Sequence, residues 1–201
     1  MKLICLDLEG VLVPEIWIAF SQATGIKELR RTTRDEPDYD KLMAFRLEIL
    51  SRKGLKLPDI QKVIAGMSPL PGAAEFTAAL RAKTRLIILS DTFEQFASPL
   101  MRQLDYPTLF CNTLVTADDG EIVSWKLRQK NGKKEAVRAF KSCNCEVFAA
   151  GDSFNDLSMI EEAGSGCLFR APPAIIEACP QVPAVESYDG LMEQIDRFLA
   201  G

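Results

Sequence analysis

The chain has 201 residues, of which 47% are hydrophobic and 26% charged, and its formal net charge is −4. This balance is typical of one globular domain, or of one domain with a modest insertion. The acidic charge argues against a nucleic-acid surface, because neutralising phosphates requires a basic face. No apolar run reaches the roughly 18 residues of a membrane span, and the start of the chain lacks a signal-peptide pattern. We therefore expect a cytoplasmic protein that binds neither nucleic acid nor membranes.

The chain contains no histidine and six cysteines. Without histidine, the usual Ser-His-Asp and Cys-His catalytic systems are excluded. The cysteines contain no C-x-x-C pair, so we expect reduced thiols, with Cys5 and Cys167 buried, rather than a zinc site or a disulfide framework. Acid–base chemistry must then come from Asp, Glu, Lys, Tyr or Cys, and any metal is expected to be a hard cation bound by oxygen.

The chain begins with a short apolar run that leads into Asp7, Glu9 and Gly10. Such a run is typical of a buried parallel strand, and open α/β sheets bind ligands at the carboxyl ends of these strands. Asp7 and Glu9 are therefore expected at the mouth of a sheet. The alternative is a turn after an edge strand, with both acids in solvent.

The next part of the chain has helical periodicity. Apolar residues recur at helical spacing over residues 15–24, 42–50 and 58–65. Asp38 is expected to cap the second of these helices, and Gly54 is expected to end it. The charged segment 27–38 is expected to begin as a helical turn and to end as a loop.

Strands and helices alternate from residue 73 onward. The predicted strands cover residues 85–90, 147–150 and 167–169, with one or two more within 108–116, and the predicted helices cover 73–82, 93–104, 133–141, 157–163 and 188–199. Asp118-Asp119-Gly120 predicts a hairpin turn. This alternation predicts an α/β fold with a doubly wound, Rossmann-like parallel sheet. We expect a core over 1–13 and 69–201, and a small all-helical cap over 14–68.

Polar residues also occur at the end of one further predicted strand and at the start of one further predicted helix. Ser90 and Asp91 end a predicted strand, and Lys133 and Lys134 follow a loop glycine and begin a helix. Each has a plain alternative: Ser90 or Asp91 could cap the next helix, and Lys133 could be a solvated helix lysine. A third cluster over residues 152–156 follows a strand and precedes a helix.

This third cluster contains Asp152, Ser153, Asn155 and Asp156. The last three could be helix caps, which is what these residue types commonly do. Considered together, however, all these groups fall at strand ends that a doubly wound sheet brings to one edge. The set provides acids for a divalent cation, a hydroxyl and a lysine for an anion, and a carboxylate able to attack. Phosphoryl transfer requires this combination, and the carboxylate route passes through an acyl-phosphate.

Taken in chain order, four stretches resemble the four motifs of the haloacid dehalogenase superfamily: Asp7–Gly10, Leu89–Asp91, Gly132–Lys134 and Gly151–Asp156. Together they span nearly the whole chain. The resemblance implies that Asp7 is the nucleophile, that Glu9 is the general acid/base, and that phosphate is bound by Ser90, Asp91 and Lys133. Gly10 would form a tight turn beside the phosphate. The resemblance favours Lys133 over Lys134 in the third motif but leaves both open.

The same resemblance implies a Mg²⁺ cofactor. Its ligands would be Asp7, the backbone carbonyl of Glu9, and Asp152, with support from Asp156 and Asn155; Asn155 is also a candidate substrate contact. One position departs from the usual pattern, because phosphatases of the superfamily mostly carry Asp where this chain has Glu9. The longer side chain raises doubt about the activation of water and would suit transfer of the phosphoryl group to an alcohol.

The predicted cap resembles that of phosphoserine phosphatases. The resemblance implies that Glu15 meets the substrate ammonium and Arg46 its carboxylate, with Tyr39 or Phe45 as an apolar wall. A guanidinium suits a bidentate carboxylate clamp. The alternative is that Arg46 is a rim residue with a buried stem.

The resemblance implies the activity of a Mg²⁺-dependent phosphoserine phosphatase that also transfers the phosphoryl group to homoserine. Two alternatives stay open: a phosphatase for another small phosphomonoester, such as a phosphosugar or phosphocholine, and a non-catalytic module that binds a phosphometabolite. The expected partner is a small-molecule substrate, and the chain is expected to be a monomer or a homodimer.

Overall fold

The computed structural model of the chain describes residues 1–33, 35–36 and 38–201. A seven-stranded sheet contains β1 (Lys2–Leu6), β2 (Arg85–Phe93), β3 (Thr108–Thr116), β4 (Ile122–Lys126), β5 (Glu146–Gly151), β6 (Gly166–Phe169) and β7 (Ala184–Val185). The strand order is β4-β3-β2-β1-β5-β6-β7, and each neighbouring pair is parallel except β3 and β4. The predicted α/β architecture with a doubly wound sheet is therefore confirmed.

The helices pack around this sheet. They are α1 (Ile16–Thr24), α2 (Tyr39–Lys53), α3 (Leu57–Ala65), α4 (Ala73–Lys83), α5 (Glu94–Gln103), α6 (Gly132–Ser142), α7 (Phe154–Ala163), α8 (Pro173–Ala178) and α9 (Tyr188–Ala200). A 3₁₀ helix (Lys27–Arg30) follows α1. We call residues 14–68, which contain α1 to α3, the helical insert.

Strand β1 lies in the middle of the sheet because its side chains are almost wholly apolar. It pairs with β2 on one side and β5 on the other, and residues 3–6 are buried. The amide of Asp7 continues this pairing by donating to the carbonyl of Ala150 at 3.0 Å. The carboxyl ends of β1, β2 and β5 therefore meet at one edge of the sheet.

The helical insert packs next to this edge of the sheet. Trp17 of α1 makes an edge-to-face contact with Phe96 of α5, with ring centroids 5.7 Å apart. The start of α3 contacts the tip of the β3–β4 hairpin, where Leu57 N donates to Gly120 O at 2.9 Å and Lys56 pairs with Asp119 at 2.7 Å. These contacts connect the insert to α5 and to the β3–β4 hairpin.

Most predicted boundaries agree with the structure to within a residue or two, and two differ by three. Strand β2 continues to Phe93 instead of ending at residue 90, and α7 begins at Phe154 instead of residue 157. The polar residues at both places look like loop in the sequence, but the tertiary contacts described below keep them in regular elements.

The expected caps of α2 are confirmed. The Asp38 side chain accepts from the amides of Asp40 and Lys41, and Gly54 follows the helix in the left-handed conformation. The loop expected before α2 includes Arg34 and Pro37, which lie outside the described residues. The six cysteines are free, and Cys5 and Cys167 are buried as expected. Within the described ranges, every helix is too short or too polar to span a bilayer.

Candidate active site

Asp7 follows β1 directly and lies at the base of a cavity of about 90 Å³. Its side chain is buried, and its Oδ1 accepts from the Leu8 amide at 2.7 Å. The chain then turns sharply, with Gly10 at φ +79° and its amide donating to Val13 O at 2.8 Å. A Cβ at residue 10 would lie 2.5 Å from Asp152 Oδ2, so only glycine leaves room for that carboxylate. Gly10 thus forms the expected tight turn, and its contact is with Asp152.

Lys133 is the buried cation of this edge. Its Nζ lies 2.9 Å from Asp7 Oδ1, 2.7 Å from Asp156 Oδ1 and 4.0 Å from Asp91 Oδ2. Burial by itself would lower the pKa of Lys133, but Asp156, Asp7 and Asp91 together raise that pKa well above its usual value. The neighbouring carboxylates therefore favour the charged form of Lys133 beside Asp7. Lys134 does not line the cavity.

Asp156 is buried at the start of α7 and has two sets of partners. Its Oδ1 accepts from Lys133, and its Oδ2 accepts from the amide and the hydroxyl of Ser153 at 3.0 and 2.7 Å. Ser153 is the N-cap of α7, so the capping alternative holds for this pair. Both oxygens of Asp156 accept hydrogen bonds, and one of them also lies in the acidic cluster that could hold a cation.

Three buried carboxylates face one another in this cluster. One oxygen each from Asp7, Asp152 and Asp156 lies within 4.8 Å of the others. Burial raises the pKa of Asp7 well above its ordinary value, and the Asp156 charge adds to this effect, while Lys133 opposes it. A hard divalent cation between Asp7 and Asp152 would offset the surplus negative charge and favour the ionised Asp7. The residues present therefore fit Mg²⁺.

Glu9 lies two residues beyond Asp7 and also lines the cavity. Its Oε2 accepts from the amide of Ile16, the first residue of α1, at 2.9 Å. Burial raises the pKa of Glu9, while the hydrogen bond from the Ile16 amide opposes the shift. A carboxyl with a raised pKa can act as a proton donor and then as a proton acceptor.

The end of β2 forms a further part of the wall. Its pairing with β3 is irregular between Leu89 and Phe93, and Ser90 and Thr92 are buried there. The amide of Thr92 donates to Ser90 Oγ at 3.2 Å. Ser90 and Asp91 lie inside the strand, so the alternative in which they cap the next helix is wrong. The donor that Asp91 offers to a phosphate is its backbone amide.

Arg46 comes from α2 and is 6% exposed, so it is not a rim residue. Its guanidinium lies over the Trp17 ring at 4.5 Å, and its NH2 donates to Arg31 O at 2.9 Å. Among the described residues, its buried Nε has no hydrogen-bond partner. Burial lowers the pKa of Arg46 to about 10, and Tyr39, Glu9 and Glu15 oppose this shift. The cavity therefore contains a buried cation whose donors are only partly used.

The remaining predicted residues divide into two groups. Glu15, Tyr39 and Asn155 line the cavity, and the hydroxyl of Tyr39 donates to Asp91 O at 2.9 Å. Phe45 does not line the cavity, so its expected place in the wall is wrong. It lies about 100° around α2 from Arg46, with the Arg31 guanidinium 5.3 Å from its ring.

Sequence reasoning missed several residues of the cavity wall: Trp17, Thr32, Thr33, Thr92 and Phe93. Thr92 could have been found, because residues two apart in a strand share a face and Ser90 was already a candidate. Trp17 carried no such signal, because an aromatic residue on an apolar helix face is ordinarily core.

The arrangement can transfer a group through a covalent intermediate. A buried carboxylate lies beside a fixed ammonium, with a second carboxyl within the same cavity and a third acid placed for a cation. The sequence profile of the haloacid dehalogenase-like hydrolases matches residues 1–164. The chain belongs to this family.

Two curated relatives are similar over nearly the whole chain. The phosphoserine phosphatase of Pseudomonas syringae pv. tomato is 55% identical over 96% of this chain and 82% of its own length. The phosphoserine phosphatase ThrH of Pseudomonas aeruginosa is also 55% identical, over 96% of this chain and 95% of its own. A solved substrate complex of a phosphoserine phosphatase shares the fold, with a TM-score of 0.77 at 21% identity over 98% of this chain and 97% of that one.

Proposed function

We propose that the protein is a Mg²⁺-dependent phosphoserine phosphatase that works through an aspartyl-phosphate on Asp7. The observation that carries the proposal is one cavity that contains the Asp7–Lys133 pair, Glu9 and the buried Arg46, whose Nε has no partner among the residues that the structure describes. The side chains of the cavity match the three charged groups of phosphoserine, which are its phosphate, its carboxylate and its ammonium. Lys133 and Ser90 suit the phosphate, Arg46 the carboxylate and Glu15 the ammonium. The names of the two Pseudomonas relatives support the same activity.

In the first half-reaction, the Asp7 carboxylate attacks phosphorus while the bond from phosphorus to the serine oxygen breaks. Glu9 gives its proton to that oxygen, so that serine leaves as a neutral alcohol. In the second half-reaction, Glu9 takes a proton from water, whose oxygen attacks phosphorus and releases phosphate and free Asp7. Lys133 remains charged throughout and stabilises the charge that develops on the phosphoryl oxygens. Mg²⁺ held by Asp7, Asp152 and the Glu9 carbonyl would neutralise further phosphate charge.

We also propose that an alcohol such as homoserine can replace water in the second half-reaction. The feature that favours this activity is Glu9, which is one methylene longer than the usual aspartate and is held by the Ile16 amide. In this route, Glu9 takes the proton of the alcohol, and the alkoxide oxygen forms the new bond to phosphorus. The products are the phosphorylated alcohol and free Asp7.

The central experiment measures phosphate release from phosphoserine with Mg²⁺ and with EDTA. We expect turnover that EDTA abolishes and Mg²⁺ restores. The same assay with a phosphosugar and phosphocholine separates phosphoserine from the other small phosphomonoesters. Absence of turnover on every substrate, with retained phosphoserine binding, would instead identify a binding module.

Transfer is tested by adding homoserine and following phosphohomoserine by ³¹P NMR. We expect Glu9→Asp to lower the ratio of transfer to hydrolysis, because the shorter side chain leaves more room for water. An unchanged ratio would mean that Glu9 does not decide between water and alcohol. The cytoplasmic location and the monomeric or dimeric state stay predictions from the sequence.

A further inference from the structure

The last residues of β2 do not follow the regular pairing of the sheet. Between the pairs Leu89–Phe110 and Phe93–Asn112, β2 contains three residues and β3 only one. Such an irregularity leaves the extra residues without ladder partners. Their backbone groups must be bonded elsewhere, because an unpaired backbone group away from water costs free energy. The groups that provide these bonds therefore orient the candidate phosphate ligands in this stretch.

The carbonyl of Asp91 accepts two hydrogen bonds from side chains. One comes from the Tyr39 hydroxyl at 2.9 Å, and the other comes from Asn112 Nδ2 at 3.0 Å. Asn112 is 6% exposed, and its Oδ1 accepts from the amide of Arg128 at 3.0 Å. The orientation of the Asn112 amide is determined by these partners, because only its oxygen can accept from an N–H group and only its nitrogen can donate to a carbonyl.

The peptide group between Asp91 and Thr92 extends this chain of hydrogen bonds to Ser90. The amide of Thr92 donates to Ser90 Oγ at 3.2 Å, and within the described ranges this is the only hydrogen bond of that hydroxyl. A serine hydroxyl has one proton, so accepting from Thr92 leaves the proton available to a ligand in the cavity that Ser90 lines. Hydrogen bonds in series polarise one another, so donors to the Asp91 carbonyl strengthen the Ser90 hydroxyl as a donor.

We propose that Asn112 is a positioning residue, whose side-chain amide fixes the Asp91–Thr92 peptide and thereby directs the Ser90 hydroxyl proton to the substrate phosphate. The inference rests on the proposed function, in which Ser90 binds that phosphate. Asn112 does not line the cavity, so it acts through Ser90 and has no contact with the transferred group. Tyr39 supports the same carbonyl from the helical insert.

The test measures turnover of phosphoserine and phosphoethanolamine by Asn112→Asp at pH 8, where a carboxyl is ordinarily ionised. Aspartate keeps the shape and the acceptor for the Arg128 amide, but it loses the donor to the Asp91 carbonyl. We expect kcat/KM to fall about 5 to 10-fold with both substrates, because they share the phosphate and one hydrogen bond is lost.

Gln95→Glu is the matched control. Gln95 of α5 also bridges the backbone of β3 with its amide, donating to Leu114 O at 2.9 Å and accepting from Leu114 N at 3.0 Å. The same change from amide to carboxylate is thus made away from the cavity, and kcat/KM should change less than about 2-fold. A loss in Gln95→Glu equal to that in Asn112→Asp would overturn the proposal.

A double-mutant cycle with Ser90→Ala tests whether Asn112 acts through Ser90. If it does, adding Asn112→Asp to Ser90→Ala should change the remaining kcat/KM less than about 2-fold. An unreduced loss in the Ala background would overturn the proposal. Full activity of Ser90→Ala would overturn the role of Ser90 and this inference with it. Absence of phosphoserine turnover by the unmodified protein would instead overturn the proposed function.

Tyr39→Phe provides a second variant that keeps the aromatic ring and removes the other donor to the Asp91 carbonyl. We expect kcat/KM to fall about 3-fold with both substrates, and this loss should also disappear in the Ser90→Ala background. If Asn112→Asp does not fold, this variant decides the question. No loss in Tyr39→Phe, or the same loss with and without Ser90, would then overturn the proposal.

Discussion

The two walls of the cavity differ in how far their polar groups are satisfied. On the sheet side, the Lys133 ammonium pairs with Asp7 and Asp156, and the second oxygen of Asp156 is used by Ser153. On the insert side, Arg46 is just as buried, but its Nε has no partner among the described residues. A buried unpaired donor costs roughly 1–3 kcal/mol, and a ligand carboxylate would recover this cost.

This difference separates the chemical task from the task of recognition. The sheet side is organised before any ligand arrives, as a group that must attack and stabilise charge has to be. On the insert side, hydrogen-bond donors of Arg46 remain available to a ligand, as expected for a surface that discriminates between substrates. Changes on the sheet side should therefore reduce turnover with every substrate, whereas changes on the insert side should depend on the substrate.

The largest effect should come from Asp7→Asn. The amide cannot form the acyl-phosphate, so we expect phosphate release from every phosphomonoester to fall by at least about 10³-fold. Asp189→Asn, an exposed position in α9, is the control and should retain full activity. An active Asp7→Asn protein of verified sequence and fold would exclude the covalent mechanism.

Lys133→Met should have the next largest effect. Loss of the ammonium removes charge stabilisation at the phosphate, so we expect kcat/KM to fall about 10² to 10³-fold. It also leaves buried carboxylates unpaired, and the free energy of unfolding should fall by about 3 kcal/mol in urea titrations. Lys134→Met changes the neighbouring lysine, which lies outside the cavity, and should alter kcat/KM less than about 2-fold. Reversed results for the two variants would assign the third motif to Lys134.

Arg46→Ala tests the insert side of the comparison. Losing a charge-assisted clamp should raise KM for phosphoserine about 10 to 100-fold. Phosphoethanolamine lacks the carboxylate, so its KM should change little in the same variant. Arg46→Lys keeps the charge without the bidentate geometry. Its KM for phosphoserine should lie between those of the unmodified protein and of Arg46→Ala. Equal effects on both substrates would show that Arg46 supports the fold and does not select the carboxylate.

The smallest effect should come from Asp38→Ala at the start of α2. The cap contacts lower the pKa of Asp38, chiefly through the hydrogen bond from the Lys41 amide. A lowered pKa means that the stabilisation is present above the pKa of the unfolded state and is lost as the pH falls through the folded value. At pH 7 we expect the variant to have a Tm lower by about 2 to 4 °C. This difference should disappear in thermal melts at a pH below the folded pKa, and a constant difference would contradict the cap assignment.

Parts of the fold and of the site could be predicted from the sequence because they depend on short stretches of chain. The apolar run before Asp7 specifies a buried strand, and alternating strands and helices specify a parallel sheet. Carboxyl ends of neighbouring strands must then meet, which places Asp7 near Asp152 and near the end of β2. The ends of the helices followed from local capping residues such as Asp38 and Gly54.

Only the tertiary structure decided how side chains from distant segments meet in the cavity. Arg46 and Phe45 are adjacent in sequence, and the docking of α2 places Arg46 over Trp17 and Phe45 against Arg31. The end of β2 brings Thr92 into the same cavity as Glu9. Lys133 donates to one oxygen of Asp156, and Ser153 at the start of α7 donates to the other. The sequence by itself determined the acids and the lysine that meet at the edge of the sheet, because motif order fixes the element that carries each one. The packing of the insert against the sheet determined which hydrogen-bond donors of the site already bind protein groups and which remain available to a ligand.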